Sequence, residues 1–437
     1  MTIFALSSGK GVAGIAVIRV TGTATANVVE TITRKPLPEA RRATVRALYG
    51  AKEGNGLDIP IDRSMVLWLP GPGSFTGEDM AEFHVHGGVA VIDATLGAIG
   101  TINGCRPADP GEFTRRAFEH GLLDLTEAEG IADLIAAETQ AQRQQALRQM
   151  DGALGDIYEG WRLDLIKSLA YMEAELDFVE ESLPEDLFAH VLPAVEKLFK
   201  SISEHLDDKH RGERLRDGFQ VVILGAPNVG KSSLINSLAK RDVAIVSDIA
   251  GTTRDMIEVH LDLGGYPVTV VDTAGLREGG DVIEQEGVRR ARLRGDSADL
   301  ALYLFEAGSA SSSESVPGMK VITKTDLGAP DELLEGAIGI STKSGAGLDE
   351  LLVQLEAAVI SVMSAQESPA ITRIRHRQAL EETNLHLARV MDGQSAEEPE
   401  LVAEDMRLAA RSLGRITGRV DVEDLLDVIF SDFCIGK

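Results

Sequence analysis

A chain of 437 residues with 43 Lys+Arg against 69 Asp+Glu carries a formal charge of −26, and its length predicts two to three domains of about 100–150 residues each. The 44% hydrophobic content excludes wholesale disorder, and the acidity argues against a simple nucleic-acid binder, because phosphate affinity comes from basic surface. Two cysteines, Cys105 and Cys434, exclude a disulfide scaffold and lack zinc-ligand spacing. No run reaches about 18 apolar residues, so no membrane span is expected, and the opening MTIFALSSGKG lacks the basic start and apolar run of a secretory signal, which points to the cytoplasm.

Residues 1–118 alternate short β-branched runs, at 15–20 and 65–69, with glycine-rich turns, and predict a small α/β domain. From 119 the apolar residues recur at helical spacing. Leu123, Leu125, Ala128, Ile131 and Ile135, then Trp161, Leu165, Leu169, Met172 and Leu176, predict two or three long helices reaching about residue 212. At 218 the pattern changes again. Apolar runs at 221–224, 268–271, 300–304 and 320–322 alternate with helical stretches up to 364, as in a parallel sheet flanked by helices. The segment 308–318, GSASSSESVPG, reads as a surface loop. Residues 365–437 return to helical character, so an α/β unit is inserted in a helical domain.

Gly225-Ala226-Pro227-Asn228-Val229-Gly230-Lys231-Ser232 matches G-x-x-x-x-G-K-[ST], between a strand and the helical stretch that begins at Ser233. Glycines let backbone N–H groups close around phosphates at a helix start, Lys231 supplies a cation to the β/γ-phosphates, and Ser232 a hydroxyl to Mg²⁺. Asp272-Thr273-Ala274-Gly275 ends the next strand: the aspartate can support the metal, and the Gly275 N–H can sense a γ-phosphate. Between them, Gly251-Thr252-Thr253-Arg254-Asp255 can supply a threonine hydroxyl to Mg²⁺ from a mobile loop. The ordered set predicts a nucleotide switch.

Guanine recognition departs from the common Asn-Lys-x-Asp pattern, because the strand ends in Thr323-Lys324-Thr325-Asp326. Asp326 can accept from guanine N1 and N2, Lys324 can cover base and ribose, and Thr323 offers a hydroxyl in place of an amide. Ser341-Thr342-Lys343 would pack on the O6 side. Many GTPases place a water-orienting Gln after the DxxG motif; here that position is Leu276, and Glu284 is near enough in sequence to substitute, or else lies on a solvated helix face. His84 and His86 would share one strand face, as a metal pair or as packing and hydrogen-bonding groups.

The segments TGED, HGG, PGEFTRRAF, LDLTEAEGIADLI, APNVGKSSLIN, IAGTTRD, DTAGLRE and the terminal FCIGK resemble, from end to end, the MnmE (TrmE) family of tRNA-modifying GTPases. The resemblance implies an α/β plus all-α fold: an N-terminal α/β folate-binding and dimerisation domain (1–118), and a helical domain (119–217 and 365–437) interrupted by a Ras-like P-loop G domain (218–364). It implies GTP hydrolysis that needs Mg²⁺, held by Ser232 and Thr253, and K⁺, held by Asn228, Ser247, Ile249 and Thr252. It places the water-activating role on Glu284 and switch positioning on Arg254 and Asp255. The remaining nucleotide contacts fall on Val229, Gly230, Lys231, Ser233, Asp272, Thr273, Ala274, Gly275, Lys324, Asp326, Ser341, Thr342 and Lys343. Contacts to a reduced folate such as 5,10-methylenetetrahydrofolate fall on Arg19, Glu82, Lys437 and Leu122. Relatives carry a lysine at the Leu122 position, so the contact is weakened or made through backbone. Cys434 is either functional or a small buried residue on a docked tail.

The resemblance further implies a homodimer working with an FAD-containing partner, MnmG (GidA), in a heterotetramer or larger complex, to build a (carboxymethyl)aminomethyl group at C5 of the wobble uridine. A ribosome-assembly or RNA-binding switch GTPase is the alternative; residues 1–118 and the CIGK end argue against it, since a pure switch needs no folate pocket. The charge divides unevenly: net +1 over 1–118, −13 over 119–217, −9 over 218–364 and −5 over 365–437. tRNA is therefore expected to bind mainly through the partner.

Overall fold

The computed structural model describes residues 1–9, 11–52, 58–177, 187–245, 258–272, 298–307, 318–328, 336–364, 369–392, 399–420, 423–431 and 433–436. The chain divides into two compact units, Met1–Ala132 with Gly414–Lys437, and Asp133–Leu413.

The first unit is built on strands β1 (Thr2–Leu6), β2 (Ala13–Thr21), β3 (Thr44–Lys52), β4 (Asp58–Leu69), β5 (Met80–Gly87) and β6 (Cys105–Pro107), in the order β3-β4-β5-β2-β1-β6. Only β1 and β6 pair in parallel. Period-two alternation sets the faces of β5. Ala81, Phe83 and Val85 are buried, and Glu82, His84 and His86 point the other way. Helices α1 (Thr25–Thr33) and α2 (Val89–Gly100) cover the first face, with Val28, Val29, Ile32, Ile92 and Ile99 packed on Ile18, Val20, Leu48, Val66, Phe83 and Val85. On the other face Ile3 and Ala5 of β1 meet Phe113 of α3 (Glu112–Glu119). With Phe4 in the opposite cluster, β1 is buried on both sides, which explains its unbroken apolar sequence. Leu125 and Ala128 of α4 (Leu125–Ala136) pack on the C-terminal helix Glu423–Ser431 through Leu426, Ile429 and Phe430. The tail after that helix is docked by main chain: Ile435 bridges Pro110, and Ser7 Oγ donates to the Gly436 carbonyl at 2.9 Å.

In the second unit, α5 (Gln140–Met150), α6 (Ala153–Asp177), α7 (Leu187–Leu206) and α8 (Arg211–Asp217) precede the second sheet. The expectation of two or three long helices reaching residue 212 is therefore corrected to a more broken run, and the breaks have local causes. Thr139 caps α5 in a reciprocal box with Gln142: its hydroxyl accepts from the Gln142 N–H, while the Gln142 amide oxygen accepts from the Thr139 N–H at 3.1 Å. Between α5 and α6, Gly152 sits at φ +89°, a conformation other residues avoid. The buried positions of α6, Leu154, Tyr158, Leu165 and Met172, then keep the heptad-like spacing of a core-facing stripe.

The second sheet holds β7 (Phe219–Gly225), β8 (Glu258–Leu263), β9 (Tyr266–Asp272), β10 (Leu300–Glu306), β11 (Met319–Thr323) and β12 (Ile338–Gly339), in the order β12-β11-β10-β7-β9-β8. All neighbours run parallel except the edge strand β8, which is antiparallel to β9. Helices α9 (Lys231–Leu238) and α10 (Leu348–Met363) pack one face, with Leu234, Ile235, Leu238, Leu351 and Leu355 against Val221, Ile223, Val270, Leu302 and Val321. Two further helices, α11 (Ile374–Met391) and α12 (Pro399–Thr417), follow. Each strand run expected from sequence lies within an observed strand. The segment 308–317 lies outside the described residues. Among the described residues no helix is long and apolar enough to cross a membrane.

Candidate functional site

In an open parallel sheet a ligand site is expected outside the carboxyl ends of the strands. Here those ends carry Gly225 (β7), Asp272 (β9), Glu306 (β10) and Thr323 (β11). The loop from Gly225 opens into α9, whose N-terminus favours an anion. Gly225 stands at φ +151°, where an added Cβ would lie 2.6 Å from the Leu304 carbonyl oxygen, so no side chain is tolerated. Asn228 is left-handed at φ +63°, a conformation that Asn accepts better than most residues. Gly230 caps α9 at φ +111°.

The polar groups converge on this loop. The Lys231 ammonium donates to the carbonyls of Gly225 (2.8 Å) and Ala226 (2.9 Å), which holds a buried cation against the loop. Ser232 Oγ donates to Asp272 Oδ2 at 2.8 Å, and Asp272 is itself buried. A hydroxyl and a carboxylate in contact at a helix start suit a hard, oxygen-ligated cation such as Mg²⁺. Ser233 is exposed on the first turn, and Val229 is buried in the core.

The segment expected to read the base holds two contacts that its sequence does not show. Lys324, left-handed at φ +60°, donates to Glu306 Oε1 at 2.8 Å. The Ser341 hydroxyl donates to Asp326 Oδ1 at 2.8 Å and also accepts from the Ser344 N–H at 3.2 Å. Ser341 therefore aims the carboxylate. Thr342 and Lys343 follow in a turn closed by Gly345 N–H donating to the Ser341 carbonyl. Thr323 is buried and donates to the Val229 carbonyl oxygen at 2.6 Å. Ser247, Ile249, Thr252, Thr253, Arg254, Asp255, Thr273, Ala274, Gly275 and Glu284 lie outside the described residues.

In the first unit, register places Arg19 opposite Glu82 across β2 and β5. The guanidinium donates to Glu82 Oε1 from Nε (3.2 Å) and Nη2 (3.0 Å), and lies 5.5 Å and 5.8 Å from the ring centroids of Phe75 and Phe113. His84 Nε2 meets the other Glu82 oxygen at 3.2 Å. His86 pairs with Asp62 through its ring and its backbone N–H, both at 2.8 Å. Burial raises the Asp62 pKa, but these hydrogen bonds outweigh it and the net shift is downward. Of the two readings for the histidines, carboxylate pairing is the one found. Among the described residues no cluster of three or more His, Cys, Asp or Glu could hold a metal.

Leu122 stands just past the end of α3, close to Gly77. It is half-exposed, and its backbone N–H is engaged by the Ala117 carbonyl at 2.9 Å. Lys437 lies outside the described residues. Cys434 is a free, exposed thiol, so the reading of a buried tail cysteine is corrected: main-chain bonds dock the tail, and the thiol is left outward. Sequence reasoning missed Phe75, Phe113, Glu306, the His84–Glu82 pairing and the Ser341–Asp326 contact. His84 stands two residues from Glu82 on β5, whereas the other contacts join segments distant in sequence, which only the fold brings together.

A family model described as the MnmE helical domain matches residues 125–434, and one described as the GTP-binding protein TrmE N-terminus matches residues 2–122. The tRNA modification GTPase MnmE of Parvibaculum lavamentivorans is 54% identical, with all of both chains covered. That of Rhodospirillum rubrum is 53% identical, covering 100% of this chain and 99% of its own. Among solved structures, a point variant of Aquifex aeolicus Era bound to GDP and aluminium fluoride is similar over 38% of this chain and 66% of that chain, at 26% identity and a TM-score of 0.26. Matched end to end by relatives more than half identical, the chain belongs to the MnmE family of tRNA modification GTPases and is a GTP hydrolase of tRNA modification.

Proposed function

We propose that this GTP hydrolase works in the cytoplasm as a K⁺-dependent homodimer. With an FAD-containing MnmG-type partner, in a heterotetramer or larger complex, it adds a (carboxymethyl)aminomethyl group to C5 of the wobble uridine, taking one carbon from a reduced folate. The observation that carries the reading is the loop from Gly225 to Ser232, with Lys231 held against its carbonyls and Ser232 on Asp272. In that arrangement Lys231 would bind the β- and γ-phosphates, while Ser232, with Thr253 from the segment outside the described residues, would hold Mg²⁺. Bound Mg²⁺ supplies neutralisation of the phosphate charge.

Asn228, Ser247, Ile249 and Thr252 would hold K⁺, the cation taking the place that an arginine finger has elsewhere. Glu284 would orient the attacking water, with Arg254 and Asp255 positioning the switches, the Gly275 N–H sensing the γ-phosphate, and Thr273 and Ala274 adding nucleotide contacts. Hydrolysis would gate the tRNA chemistry and not supply the transferred group.

Support for a folate site comes from the half-buried Arg19–Glu82 pair between two aromatic rings. A carboxylate suits the pterin N–H edge, and a cation, here with Lys437, suits a glutamate tail. Leu122 would contribute apolar contact only. Cys434 would be a candidate participant, and its exposure on the docked tail supports this. The test is reconstitution with a methylene-labelled reduced folate, glycine or ammonium as the amine, the partner, tRNA, GTP and Mg²⁺, in K⁺ or in Na⁺. Label is expected at C5 of the wobble uridine only with the partner and GTP present, and hydrolysis is expected to fall sharply in Na⁺. Unlabelled uridine, or equal turnover in both salts, would refute the respective step.

A further inference from the structure

We propose that Thr323 is a positioning residue which ties the base-reading loop to the phosphate loop through its single O–H, leaving guanine N7 without a donor from that loop and base specificity resting on Asp326. This goes beyond the assignment of GTP as substrate, since it states which edge of the base is read.

Thr323 ends β11 and is 2% exposed. Its Oγ1 lies 2.6 Å from the Val229 carbonyl oxygen and 3.2 Å from that of Phe305. Both neighbours only accept, and a hydroxyl has one proton to give. That proton is therefore committed to the main chain. Val229 directly precedes Gly230 and Lys231, so the bond anchors Thr323 where the phosphate loop turns into α9. An asparagine would carry two N–H donors: one could hold the carbonyl and the other would remain for a ligand. Guanine presents acceptors at N7 and O6 and donors at N1 and N2. Asp326, an acceptor aimed by the Ser341 hydroxyl at 2.8 Å, suits the donor edge. No side-chain donor at 323 is left for N7.

The tie also has a consequence for coupling. Nearby, a Cβ added at Gly230 would come within 3.9 Å of Thr323 Cβ, so the two loops pack closely as well as bond. A shift of the phosphate loop must then carry the start of the base loop with it.

The experiment compares GDP with 7-deaza-GDP, which lacks only the N7 acceptor, on the full chain by calorimetry. Wild type is expected to bind both within about twofold, whereas Thr323→Asn should prefer GDP by about fivefold, the worth of one hydrogen bond. Thr323→Ser keeps the O–H and should match wild type. Thr323→Val leaves the Val229 carbonyl without its donor and should weaken both nucleotides by about the same factor. A wild-type preference for GDP of about fivefold or more would overturn the proposal, as would a Thr323→Asn chain with no preference. Undiminished binding of both nucleotides by a folded Thr323→Val chain would remove the tie. Should Thr323→Val not fold, the wild-type, Ser and Asn chains decide, and failure of wild type to bind GDP at all would instead refute the nucleotide site.

Discussion

Two small hydroxyls, one at the end of β11 and one just after β12, tie together the segments expected to read the base. Thr323 reaches back to the phosphate loop, and Ser341 reaches across to Asp326. Neither role is legible from its own motif, because each partner is supplied by a different segment of the chain. What the sequence does show is the chemistry that tolerates little variation. The glycine at 225 is demanded by the Leu304 carbonyl, and the lysine and serine at 231 and 232 fit the P-loop pattern that the fold places between β7 and α9. Arg19 and Glu82 were legible only through family resemblance, and the aromatic rings around Arg19 not at all. The Ser341 hydroxyl carries a prediction of its own. Ser341→Ala removes the donor that aims Asp326, so discrimination of GTP over ITP, which lacks the exocyclic N2 amine, should fall about threefold or more, with ITP affinity changing less. Competition binding with the two nucleotides measures this; an unchanged ratio would show that Asp326 is held by other means.

Elements were read more securely as strands than as helices. The strands of the second sheet are runs of buried apolar residues between polar ends, a signal that needs no partner to interpret. The helices after residue 119 share one periodicity, and their breaks rest on a cap at Thr139 and a left-handed Gly152, which interrupt the pattern by only a few residues. Where α6, α7 and α11 meet, a polar-aromatic cluster forms. Tyr158 Oη lies 3.3 Å from His205 Nε2, the rings of Trp161 and His376 pack around them, and Asp208 and Arg377 stand nearby, paired at 2.7 Å. Burial lowers the His205 pKa from its ordinary 6.5, Asp208 opposes this, and Arg377 adds to it. A histidine that folds neutral but protonates more readily when unfolded contributes stability above its unfolded pKa. That contribution is lost as pH falls from about 6.5 toward the lower folded value. Thermal unfolding of the wild type should therefore shift to lower temperature between about pH 7 and about pH 5.5, and His205→Phe, which cannot protonate, should flatten that slope. Parallel slopes for the two chains would assign the acid sensitivity to other groups.

On the scale of the whole molecule the acidity is a matter of placement. Residues 119–437 carry a net charge of −27, while residues 1–118 are nearly neutral at +1. A surface of that sign repels a polyanion, which supports the proposal that a partner supplies basic surface for tRNA, and the charge that argued against a simple RNA binder is compatible with a GTPase of tRNA modification. The domain order was readable because each segment has its own periodicity, whereas the grouping of Gly414–Lys437 with the first unit depends on apolar packing against α4 and main-chain docking of the tail. The most direct measurement is mass spectrometry of wobble nucleosides in tRNA from cells lacking this gene. Loss of the 5-substituted uridines is expected, with return on wild-type complementation but not with Lys231→Ala; unchanged 5-substituted uridines in the deletion would contradict the assignment.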